Sequence, residues 1–278
     1  MTDSGNDWMF ATLHCVVHLP QLTNFLLDER LMRSSLVTKR KNACEFASGL
    51  SELAIAYWSS SSETSSPKTS SSEPPQTFDI RSSVFDKVLD AFLRIHRSFK
   101  GKRHDRNAAE ALRSCLETLH LAFGNVPDVE HPIRFDDDGD DDIRTTQRSI
   151  VSDVFEGVFD DGNTFTVMSI NDTNAPTVVK SLESYTFRRT PLTFVVTLPE
   201  HFVSYDVNLT MIERGFQVPY ALVAVLLHHH EEKWTALAYH DGQWRHFEND
   251  RVTPVPVNSI VQKNAAMLLY KRLLPNSS

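Results

Sequence analysis

Apolar residues recur at three- and four-residue spacings in the first half of the chain and gather into short, dense runs in the second. Met9, Leu13 and Val16 share one face of a helix predicted over 9–17. Pro20 suits the first turn of a second helix ending near Leu27, because a helix start has no use for the N–H that proline lacks. Ala43, Phe46, Leu50, Leu53 and Tyr57 form a third amphipathic stretch. It stops at residues 59–75, a Ser/Thr/Pro/Glu run with no apolar side chain to bury, which is expected to be a disordered insertion. Helical spacing resumes with Phe85, Val88, Leu89 and Phe92, where Ser83 followed by Asp86 resembles a helix start. Ala108, Leu112, Cys115, Leu116, Leu119 and Phe123 predict another helix, followed by an acidic loop over 136–142.

Beyond that loop the period changes. Residues 164–170, 192–198, 220–228, 233–239 and 265–270 are rich in β-branched, aromatic and aliphatic side chains and read as strands. Helices first and strands later predict an α+β domain, a helical half packed on a mostly antiparallel sheet.

Composition narrows the function. The 278 residues are 41% hydrophobic, enough for a sizeable core, and the net charge of −8 disfavours nucleic acid as a ligand. That charge favours a soluble protein with basic protein partners. No apolar run approaches the roughly 20 residues of a membrane helix, and the first residues lack the positive charge that opens a secretory signal. Cys15, Cys44 and Cys115 make no disulfide framework, which predicts a cytoplasmic or nuclear setting; the sequons at Asn171, Asn208 and Asn276 then carry no meaning. Neither a metal nor another cofactor is expected. There is no Cys-x-x-Cys pair. His228, His229 and His230 would alternate faces along a strand. The acidic loop would need Arg134 and Thr145 at the ends of a calcium-binding loop, where carboxylates belong.

Several segments, in order, resemble the ubiquitin-specific proteases. Residues 8–22 (Trp-Met-Phe-Ala-Thr-Leu-His-Cys-Val-Val-His-Leu-Pro-Gln-Leu) resemble that family's opening motif, and 105–120 its glutamine-aspartate-alanine-histidine-glutamate-phenylalanine-leucine helix. Residues 149–157 resemble the segment entering the fingers, and 192–199 the strand before the catalytic half. The C-terminal half follows the family pattern through Tyr220, the loop into Lys233-Trp234, Gly242, Trp244, Phe247-Glu248-Asn249-Asp250 and a closing strand over 266–270.

The resemblance implies a papain-like fold with a helical thumb on an antiparallel palm, and a single domain over 1–278. The thumb would span 1–130 with the insertion at 59–76, placed away from the cleft. The palm and reduced fingers, without a zinc ribbon, would span 145–275. The family cleaves isopeptide bonds with a thiolate, a histidine and a group orienting that histidine. By family spacing the nucleophile falls on Asp7, or on Trp8 if Gly5-Asn6 is the anchor; the base falls on Lys233; the orienting group is Glu248 or Asn249; the oxyanion-stabilising asparagine falls near Thr2. A carboxylate cannot form the thioester, and a charged lysine is a poor proton acceptor. Asp7 and Lys233 are expected to form an ion pair across the cleft, and Cys15 and Cys115 to be core cysteines. The expected function is that of a pseudoenzyme, a protein-interaction scaffold or complex subunit. The alternatives are a non-hydrolysing binder of ubiquitin or a ubiquitin-like modifier and, third, an active hydrolase with an atypical site. Trp8, Asn107, Glu110 and Trp234 mark the vestigial ubiquitin-tail channel. It is less acidic because Asn107 replaces an aspartate beside Arg106, and narrower because His230, Glu231, Glu232 and Trp234 replace small residues, which implies weak ubiquitin binding or none.

Overall fold

The structure, a computed structural model, describes residues 5–60, 76–77, 82–101, 107–123, 149–170, 177–199, 204–230 and 233–274. Thr2, most of the insertion (61–75), Arg106, the acidic loop, Asn171, Glu231, Glu232 and Asn276 lie outside the described residues.

Among the described residues six α-helices precede residue 123: α1 (Asp7–Val17), α2 (Pro20–Leu27), α3 (Glu29–Ser35), α4 (Lys41–Ser60), α5 (Ser82–Ile95) and α6 (Ala108–Ala122). Helix α1 is apolar nearly all round and runs through the middle, packed on α6 and on the sheet. Pro20 occupies the first turn of α2 as expected. Helix α3 was not foreseen; it is seven residues long, buries only Met32 and Ser35, and starts where the Asp28 carboxylate accepts from the Leu31 N–H at 2.9 Å. Helix α4 runs on through Ser60, so the insertion begins later than expected. Two short helices follow, α7 (Ile150–Phe155), closed by a Ser149/Ser152 capping box, and α8 (Val178–Leu182). No helix among the described residues is long and apolar enough to cross a membrane.

The strands are β1 (Gln76–Thr77), β2 (Gly157–Phe159), β3 (Thr164–Phe165), β4 (Met168–Ser169), β5 (Phe187–Arg189), β6 (Thr193–Thr197), β7 (Asn208–Glu213), β8 (Phe216–His229), β9 (Lys233–His240), β10 (Gln243–Glu248), β11 (Arg251–Val255) and β12 (Ala265–Arg272). They form one sheet whose main path is β1-β11-β10-β9-β8-β7-β5-β2-β3, with β12 between β8 and β6, and β4 beside β6. Only β4–β6 and β5–β7 pair in parallel among the described strands, which agrees with the mostly antiparallel expectation. The 164–170 run is two short strands rather than one.

Strand β8 explains why its sequence is a continuous apolar run. Ala224 and Leu226 face the core shared with the thumb helices, while Val225 and Leu227 face a second core on the far side of the sheet. The sheet is therefore buried on both faces where β8 crosses it, and the thumb-facing side carries the site. At the far edge Gly157 lies opposite Phe165, and a Cβ at Gly157 would run into that ring. Gly157→Ala is expected to cost about 1–3 kcal/mol by displacing the aromatic; a denaturant midpoint equal to wild type would contradict this.

Candidate functional site

The chain enters α1 at Asp7, whose side chain is buried with a relative exposure of 5%. Four N–H groups at a helix start have no partner within the helix, and the dipole there favours a carboxylate. Asp7 also reaches across to the sheet: its Oδ2 accepts from the backbone N–H of Trp234, the second residue of β9, at 2.8 Å. The expected ion pair to Lys233 does not form. Lys233 Nζ donates instead to Glu248 Oε1 on the neighbouring strand β10. The reason is proximity. Lys233 starts β9 and Glu248 ends β10, so the two side chains meet along the antiparallel pair, while Asp7 is already held by a buried amide. The lysine donor bond holds the Glu248 carboxyl below the usual range, against a smaller upward push from burial.

Asn249 follows Glu248 in the two-residue turn into β11 and adopts φ 53°, a left-handed backbone that asparagine tolerates. Its carbonyl accepts from His14 Nε2 at 3.1 Å, while its Oδ1 is buried and makes no hydrogen bond. Thus the asparagine at the orienting position contributes a backbone oxygen, and its side chain orients nothing.

Trp8 corrects a second expectation. Its exposure is 1%, and it stacks on Phe99 at 5.2 Å inside the thumb, so it lines no channel. Trp234 is buried too, stacked on His228 at 4.3 Å. Asn107 and Glu110 stay at the surface, and Asn107 serves as the N-cap of α6, its Oδ1 accepting from the Ala109 N–H at 2.8 Å and the Glu110 N–H at 3.2 Å. The loss of charge at residue 107 is therefore compatible with a tight helix start. Along α6 the surface dips into a groove of about 590 Å³ between Arg113, Leu116, Glu117 and His120 on one side and Val151 and Val167 on the other.

A histidine cluster behind the site was missed by sequence reading. His14 Nε2 carries the proton it gives to Asn249, so its Nδ1 accepts from the Tyr57 hydroxyl at 2.7 Å. One turn on, His18 Nδ1 donates to the His14 carbonyl at 2.6 Å, leaving its Nε2 to accept from His240 Nδ1 at 3.0 Å. Burial lowers His14 and His240 to about 4 and His18 well below its usual value, so all three are neutral around pH 7. The signal was present: His14 lies near the end of a largely apolar helix and His18, its C-cap, follows four residues on, so both face the same interior. His229 is held similarly, between Thr235 Oγ1 at 2.7 Å and Asn264 Nδ2 at 3.2 Å, facing away from the stacked His228.

No cysteine stands at the helix start. Cys15 and Cys115 are fully buried, and burial pushes both thiols far up; Cys44, half-buried, is also raised and lies against the Val37 carbonyl at 3.1 Å. Because the thiolate is the reactive form, Cys15 and Cys115 are expected to stay unmodified by a disulfide reagent in the native protein at pH 7.5, with any labelling confined to Cys44. Intact-mass detection of rapid modification at Cys15 would contradict this.

The profile of the ubiquitin carboxyl-terminal hydrolase family matches residues 3–270, and the chain belongs to that family. Solved structures similar to it include the SAGA Ubp8/Sgf11/Sus1/Sgf73 DUB module bound to ubiquitin aldehyde (TM-score 0.69, 14% identity, 99% of this chain and 69% of that one). The yeast SAGA DUB module with an Sgf73 mutant is likewise similar (TM-score 0.69, 14% identity, 98% and 68%). These likenesses establish a ubiquitin-specific-protease fold. No curated protein sequence matches the chain.

Proposed function

We propose that this chain is a non-hydrolysing member of its family that works as a protein-interaction scaffold or complex subunit. The observation that carries the reading is the bond from the Trp234 N–H to Asp7 at the start of α1. A carboxylate held there closes thumb on palm and offers no thiol for acyl transfer. The Lys233–Glu248 pair supports it, since a lysine bound to a carboxylate is a poor proton acceptor. Solved relatives with this fold sit in a module with Sgf11, Sus1 and Sgf73, which supports a subunit role by likeness. The three free cysteines fit a reducing cytoplasmic or nuclear setting, and the net charge of −8 fits basic partners.

Membership of the ubiquitin carboxyl-terminal hydrolase family, with a similar fold solved bound to ubiquitin aldehyde, favours a second reading, that ubiquitin or a ubiquitin-like modifier binds without being cleaved. Affinity capture with the purified chain, read by mass spectrometry, and calorimetric titration with ubiquitin separate the two. A stable protein partner with no ubiquitin heat supports the scaffold reading. Saturable ubiquitin binding without turnover supports the second, and turnover of a ubiquitin–amide reporter overturns both.

A further inference from the structure

The main path of the sheet ends beyond β11, and an open sheet edge is where a strand from another protein can add. Part of this edge is blunted by sequence: Pro254 has no N–H to offer, and Pro256 follows the strand. The part without proline, Arg251 and Val252, is covered by β1, with Gln76 opposite Val252 and Thr77 opposite Arg251. Strand β1 belongs to the connection between α4 and α5, so that connection meets the palm edge at Gln76–Thr77. It lands beside the degenerate site, since Arg251 is also paired with Glu248, the partner of Lys233.

We propose that Gln76–Thr77 is a displaceable edge guard on a strand-addition site at Arg251–Val252, and that the site's partner is an extended acidic peptide of another protein. The guard is short: two residues pair, and Pro74 and Pro75 stand directly before them in sequence. A proline-free peptide could pair along Arg251, Val252 and Thr253 and so compete. Charge sets the class of partner. Arg251 is exposed, and the resident segment carries Glu73 and Asp79 on either side of its paired residues in sequence. The guard holds its place mainly because it is tethered, which gives it an effective concentration on the order of millimolar. The site does not depend on whether the domain hydrolyses anything, so it can fail or stand apart from the scaffold reading.

The test uses the full chain, the double substitution Gln76→Pro/Thr77→Pro, and Gln76→Ala/Thr77→Ala as a control that keeps both backbone N–H groups. Amide exchange over residues 249–256 is followed by mass spectrometry, with and without a synthetic acidic, proline-free peptide, the sequence of residues 73–80 with both prolines replaced by threonine. The proline variant is expected to exchange about fivefold faster or more, the size of one net hydrogen bond. Millimolar peptide should restore its protection, while wild type and the alanine control should not respond. Exchange at the wild-type rate in the proline variant, no restoration by peptide, or an equal response in wild type would each overturn the proposal. So would loss of the fold in the proline variant, because a displaceable guard cannot be essential to folding.

Discussion

Between pH 6.5 and about 4 the folded protein is expected to lose several kcal/mol of stability. His14 binds a proton near pH 6.5 when unfolded but only near 4 when folded, because burial disfavours its charge. Through that window the unfolded chain holds more protons than the native one, so stability rises with pH there. The contribution is complete above pH 6.5 and is lost as the pH falls through about 4. A tenfold difference in protonation is worth about 1.4 kcal/mol, so His14 alone accounts for roughly 3 kcal/mol. His18 and His240 act in the same direction: if both were charged, two cations would face each other across a 3.0 Å bond with Arg245 nearby. Against a typical total of about 5–15 kcal/mol, the loss should bring unfolding within reach of mild acid. Urea midpoints followed by circular dichroism at pH 7, 6, 5 and 4.5 should fall steeply below 6; a midpoint level down to pH 5 would contradict the buried neutral cluster.

Asp7→Ala is expected to be the most damaging substitution at the site, at about 2–4 kcal/mol. It removes a charged acceptor from the buried Trp234 N–H and an anion from a helix start, and it leaves the amide without a partner. Lys233→Ala should cost less than about 1 kcal/mol, because Lys233 and Glu248 are 43% and 37% exposed and their pairing is worth little in water. Asp7→Asn should fall between, since it keeps an acceptor and loses the charge. Denaturant titration of the three variants gives the order directly. Equal losses for Asp7→Ala and Lys233→Ala would mean that the carboxylate does not tie thumb to palm.

The contrast shows what the sequence could and could not reveal. Helix α2 was legible in full because proline marks its start and the apolar spacing marks its length. Strand β7 was passed over although its residues alternate between exposed and buried, because Ile212 lies on the outer face and Glu213 on the inner one, which breaks the apolar/polar alternation in the sequence. Helix α3 was invisible because a helix burying two residues leaves almost no period to detect. At the site, the unusual identities of Asp7 and Lys233 were readable by position along the chain. Their partners were not, because Lys233 meets Glu248 through the hairpin between β9 and β10, and Asp7 bonds to a backbone group that carries no side-chain signature. The same holds for His240, which joins His18 from 222 residues away.

The central claim, that the site performs no acyl transfer, is tested most directly with ubiquitin carrying a C-terminal electrophile in place of its carboxylate. Such a probe bonds to any cysteine aligned with the ubiquitin tail. With the purified chain and an active family member run beside it, intact-mass measurement should show an adduct on the active enzyme and none here. An adduct on Cys15, Cys44 or Cys115 would contradict the account and place a reactive thiol where the structure has Asp7.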